Sequence, residues 1–151
     1  MPCHAAVVKK TLIVSEDETV EKTLKALKKS KGEAALLVDG DGQFSGLFTL
    51  ASLFENILPV QVNMTGGDDV TLGAAPGIAK RLLKANALPV SHFKHLKAQS
   101  VLPQTPLWEG IKMLSDNQNL PVVVLDEQTS KPLGYMTQSS VLEELERMQG
   151  E

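Results

Sequence analysis

Apolar positions in this chain change period several times, and the same succession of periods is written twice. In the first half, Thr11–Val14 is a short extended run, and Val20, Leu24 and Leu27 then recur on one face of a helix predicted over 19–29. Its acids (Glu16, Asp17, Glu18, Glu21) lead and its lysines (Lys25, Lys28, Lys29, Lys31) trail, as a helix dipole favours, and Gly32 is expected to end it. Ala34–Val38 reads as a buried strand, Asp39-Gly40-Asp41-Gly42 as a hairpin turn and Gln43–Phe48 as the returning strand. Thr49 then opens a helix that carries Leu53, Phe54, Ile57 and Leu58 and stops before Pro59. The second half repeats this grammar. Thr105-Pro106 starts a helix with Leu107, Trp108, Ile111 and Leu114 on its stripe, Leu120–Leu125 and Lys131–Met136 form the strand pair, and Thr137–Met148 is the closing helix.

The repetition extends to individual residues. Gly46-Leu47-Phe48-Thr49 returns as Gly134-Tyr135-Met136-Thr137, with the two threonines 88 positions apart. Asp39 and Asp126 close the two apolar runs at an offset of 87, so the second copy carries one extra residue in its turn. These matches imply an internal duplication of a β-α-β-β-α unit. One such unit leaves a sheet face uncovered, and the other copy is its natural cover, which implies a pseudo-twofold pair. The expected division is a first repeat over 1–59, a connector over 60–97 with an extra helix near Ile78–Ala87, and a second repeat over 98–151. Thr65–Asp69 reads as a loop, and Ser91–Leu96 as a short helix leading into the second copy.

Composition narrows the function classes. Fifteen basic and 18 acidic side chains give a net charge of −3, and no basic run carries interleaved aromatics, which argues against nucleic acid as the main partner. One cysteine, Cys3, excludes an intramolecular disulfide framework. No apolar stretch approaches the roughly 20 residues of a membrane span, and Lys9-Lys10 interrupts the apolar start, so a soluble cytoplasmic protein without membrane insertion is expected. No nucleophile–base constellation or phosphate-binding loop is visible, and no enzyme is expected. His92-x-x-His95 lacks further ligands nearby and reads as surface histidine rather than metal site; Asp39–Gly42 lacks the downstream glutamate of a calcium loop. Trp108 suits an interface or core position.

The phrases Pro103-Gln104-Thr105-Pro106-Leu107, Leu120-Pro121-Val122-Val123-Val124-Leu125-Asp126 and Gly134-Tyr135-Met136-Thr137 resemble the CBS-domain pattern. Asp17-Glu18-Thr19-Val20, Leu37-Val38-Asp39 and Gly46-Leu47-Phe48-Thr49 resemble it in the first copy. The fold class this resemblance implies is α/β (α+β), two CBS repeats packed with pseudo-twofold symmetry. It implies a regulatory module that binds AMP, ADP, ATP or S-adenosylmethionine between the repeats, needs no cofactor, forms a homodimer and signals to an effector protein whose identity is open. The ligand would meet Thr49 and Thr137 at the strand-to-helix junctions, with Gly46 and Gly134 before them and Ser52 and Ser140 after. Val14, Ser15, Val101, Leu102, Leu120 and Pro121 would wall the base, and Lys10 and Lys97 could neutralise a phosphate. The chain departs from the pattern at Ser52 and Ser140, where nucleotide-binding members usually carry aspartate. Losing that charged acceptor costs about 1.5–3 kcal/mol. The alternative is a ligand-independent dimerisation or protein-interaction module with degenerate sites.

Overall fold

The computed structural model describes residues 2–8, 11–57, 74–95, 98–116 and 120–150. Lys10, Lys97, Leu58, Pro59, the Thr65–Asp69 loop and Leu96 lie outside the described residues. The first repeat runs β1 (Leu12–Ser15), α1 (Val20–Ser30), β2 (Ala35–Val38), β3 (Phe44–Phe48) and α2 (Leu50–Ile57). An additional helix, α3, spans Ala74–Ala85 and so begins before the expected Ile78. The second repeat runs β4 (Ser100–Val101), α4 (Leu107–Asp116), β5 (Val122–Leu125), β6 (Pro132–Met136) and α5 (Gln138–Gln149).

The two sheets are the same object built twice. In each, the first strand pairs parallel with the second and the second antiparallel with the third. Each also carries a register shift at the equivalent place, Leu37/Val38 in one and Val124/Leu125 in the other. The hairpin turns close through Asp39 and Asp126, whose Oδ1 atoms each accept two backbone N–H groups at 2.9–3.0 Å. Such turns hold their carboxylates by local hydrogen bonds.

Alternation along the strands sorts side chains between three cores. Ala35, Leu37 and Phe48 face α1 and α2, and Val122, Val124 and Met136 face α4 and α5. The intervening positions meet between the sheets, where Leu36 and Leu47 from one repeat pack with their equivalents Val123 and Tyr135. The central strands are therefore buried on both faces, which explains their unbroken apolar runs. This shared seam is the physical reason one repeat would not stand alone.

The chain also crosses between the repeats. A 3₁₀ turn at Cys3–Ala6 packs into the second repeat's core, and its equivalent at Val90–Phe93 packs into the first. The isolated bridges Pro2↔Pro106 and Thr19↔Pro89 fix these crossings. Cys3 and Ala6 thus pack with the second repeat's core, and Val90–Phe93 is a shorter element than the helix expected over 91–96. At the end of α1, Lys31 rather than Gly32 takes the left-handed conformation, with φ of 58°. Trp108 is 66% exposed and has no core role.

Candidate functional site

Each strand-to-helix junction is closed by its own side chains. Thr49 Oγ1 accepts from Ser52 N–H (3.1 Å), Thr49 N–H donates to Ser52 Oγ (3.0 Å), and that hydroxyl donates to the Thr49 carbonyl (2.8 Å). Thr137 and Ser140 repeat the arrangement at 3.0, 2.8 and 3.1 Å. This reciprocal box satisfies two of the backbone donors that a helix start leaves open. The serines at the two positions where the family pattern has aspartate are therefore engaged locally, as caps. Ser52 is 1% exposed, whereas Ser140 is only half-buried.

The lead-in segments cross over the preceding glycines. Lys94 covers Gly46, where an added Cβ would come within 2.5 Å of its Cδ, and its Nζ donates to the Ser45 carbonyl at 3.0 Å. Val7 and Thr11 cover Gly134 in the same way. The next residue then pairs with the strand: His95 N–H donates to the Leu47 carbonyl at 2.8 Å, and Val8 N–H to the Tyr135 carbonyl at 3.0 Å. Both glycines have the space that a Cβ would take filled by side chains of the crossing segment. They are covered rather than open to a ligand.

Beyond this shared frame the two junctions differ. Beside Thr137 lies a cavity of about 550 Å³ between the repeats, with Lys31, Gly32 and Glu33 on one side and Ser139, Ser140 and Arg147 on the other. Among the described residues its rim holds three carboxylates (Glu33, Glu143, Glu144) and two cations (Lys31, Arg147). Arg147 is 2.6 Å from Glu144, and this hydrogen bond holds the Glu144 carboxyl below its ordinary value. Tyr135 forms the floor; burial pushes its phenol up, while the Glu33 and Ala34 backbone beside the hydroxyl works the other way. At the first junction, Thr49 Oγ1 instead meets His95 Nε2 at 2.6 Å. Burial holds the His95 imidazole below its ordinary value, against a smaller opposing pull from Glu55.

Of the residues expected to contact a ligand, the structure brings Thr137 and Ser140 to this cavity. Thr49 lines an adjoining groove of about 480 Å³ between the end of α1 and the start of α2, which shares Lys31, Gly32 and Glu33 with that cavity. The expected base walls lie elsewhere. Val14 and Val101 pack into the two outer cores, because the strands turn those positions towards the helices. Ser15 Oγ accepts from Asp17 N–H at a turn, Leu102 is 42% exposed, and Leu120 and Pro121 line neither cavity. Sequence patterns do not single out Lys31, Glu33, Tyr135, Arg147 or His95 as contacts. Among the described residues no cluster of metal-ligating side chains exists, and His92 and His95 do not share a helix.

The chain folds as a doubled β-α-β-β-α unit sharing a seam, with a cleft at the junction, and its residues 5–59 match the CBS domain family. No protein of curated function matches the sequence. Among solved structures, a CBS domain-containing protein of unknown function from Bacillus anthracis str. Ames Ancestor is 15% identical with a TM-score of 0.72, over 97% of this chain and 94% of that one. Protein MJ1004 from Methanocaldococcus jannaschii is 17% identical with a TM-score of 0.71 over 97% of this chain, which spans only 60% of that protein's chain. CBSX2, solved in complex with AMP, is 15% identical with a TM-score of 0.69 over 98% of both chains. At such identities the likeness is one of fold. Among the described residues no helix is long and apolar enough to cross a membrane.

Proposed function

We propose that this pair is a regulatory, non-catalytic module that holds an adenosine-type ligand in the cleft beside Thr137 and passes its occupancy to a partner protein. The cavity there supports this reading most directly. Its volume of about 550 Å³ falls within the roughly 300–1,000 Å³ of small-molecule sites, and both repeats wall it. A ligand bridging Lys31–Glu33 and Ser139–Arg147 would couple the repeats, which is what a sensor requires. The AMP bound by CBSX2 motivates the ligand class.

The rim's charge adds a ranking. Among the described residues the opening carries three carboxylates and two cations, so each further phosphate is expected to meet net repulsion. Among AMP, ADP, ATP and S-adenosylmethionine, ATP is expected to bind most weakly. Thermal unfolding in the presence of each checks this. A ligand at 100 times its dissociation constant adds about 2.7 kcal/mol of stability. No shift from any of the four at millimolar concentration would sink the reading.

A second reading, ligand-independent association, draws on the occupied serine hydroxyls and on apolar residues left outside. Leu50 and Phe54 on α2 are 50% and 51% exposed, and Leu142 on α5 is 56% exposed. It predicts a dimer by light scattering that ignores nucleotide, and a strict monomer would count against it.

A further inference from the structure

The two junctions are equivalent in backbone and unlike in one side chain. Val7-Val8 and Lys94-His95 lie 87 residues apart, each pair crossing the other repeat's third strand through the same backbone hydrogen bond. Where His95 extends an imidazole to Thr49, Val8 has only methyl groups to offer. Thr49 Oγ1 accepts from Ser52 N–H and contacts Nε2 at 2.6 Å, so its hydroxyl is engaged on both sides. Thr137 Oγ1 accepts from Ser140 N–H and has no side-chain partner of this kind among the described residues. Among the described residues Thr137 lines the inter-repeat cavity and Thr49 the groove that adjoins it at Lys31–Glu33, and His95 is half-buried against the first junction.

The geometry points to His95 as a built-in occupant of the first junction, a side chain standing where a ligand's polar group would otherwise reach Thr49. The pair is thereby made single-sited, with one small-molecule ligand per chain, held beside Thr137. His95 is the residue that sets this number. In its neutral form with the proton on Nδ1, the ring accepts the Thr49 hydroxyl hydrogen through Nε2, as a bound acceptor would. The backbone bond to Leu47 and the Lys94 contacts around Gly46 hold the ring in place without help from that bond. Removing the imidazole should therefore empty the junction without unfastening the crossing.

This inference rests on the Thr137 reading for the ligand, so its test has an arm independent of nucleotide. Calorimetric titration with AMP should give one site per chain in the wild type and two in His95→Val, which installs the second junction's own residue. Val8→His, the reciprocal change, should lose the single site. In parallel, imidazole should raise the unfolding temperature of His95→Ala saturably and leave the wild type unchanged, because only the variant has a ring-sized vacancy beside Thr49. Two AMP sites in the wild type would overturn the inference, as would a folded His95→Val protein that still binds one. If the wild type binds no AMP, the Thr137 reading fails and the imidazole arm alone decides: saturable stabilisation of His95→Ala supports the occupant role, and its absence refutes it.

Discussion

Tyr135→Ala is expected to destabilise the protein by about 3–5 kcal/mol, the range for emptying a large buried aromatic position. For a chain of this length that lowers the unfolding midpoint by roughly 6–20 °C, at about 2–4 °C per kcal/mol. Tyr135 is 1% exposed and sits in the seam with Leu36, Leu47 and Val123, so truncation opens a void that neither sheet can fill alone. The hydroxyl also leaves the Glu33 and Ala34 backbone, on the cavity's far wall. Because the seam belongs to both repeats, a single calorimetric transition should persist at the lower temperature. Trp108→Ala is the contrast: at 66% exposure it should change stability by only about 0.5 kcal/mol or less. Similar midpoints for the two variants would mean that the seam does not join the repeats.

Ser140→Asp should tighten binding of a ribose-bearing ligand about 10- to 100-fold. The carboxylate can still accept Thr137 N–H and is favoured in the first turn of a helix. Its second oxygen then offers a charge-assisted hydrogen bond at the cavity, worth about 1.5–3 kcal/mol. Ser140 is half-buried, so water can compensate for the lost donation to the Thr137 carbonyl. Ser52→Asp is not its equivalent. At 1% exposure it places a carboxylate against the Thr49 carbonyl that Ser52 Oγ now meets at 2.8 Å, which costs stability and gains no ligand. Titration of both variants with AMP reads the difference, and equal behaviour would show that the junctions are not distinguished as described.

The fold is legible in the sequence because its strongest signals are local and doubled. Gly-x-x-Thr at matched spacing, the Asp39 and Asp126 turns and the Thr caps each announce an element from a few neighbouring residues, and duplication supplies the partner sheet. The features that escape sequence reading depend on chain crossings. Nothing near His95 in sequence says that it meets Thr49, 46 positions away. Pro2 and Pro89, at the same offset of 87, are the available sign that each repeat begins with a lead-in. That the lead-ins exchange partners is a tertiary fact. Ser52 and Ser140 stand out in sequence only against an absent aspartate, and their capping role needs the reciprocal geometry. That Val14 and Val101 face the outer cores cannot be told from strands of four and two residues.

That this pair has one working cleft, between Lys31–Glu33 and the start of α5, is tested most directly by backbone amide NMR during AMP titration. Saturable shifts are expected to concentrate at Lys31–Glu33 and Gln138–Ser140, with Leu50–Leu53 and His95 left in place. Shifts centred on Thr49, Ser52 and His95, or none anywhere at millimolar AMP, would contradict a single cleft beside Thr137.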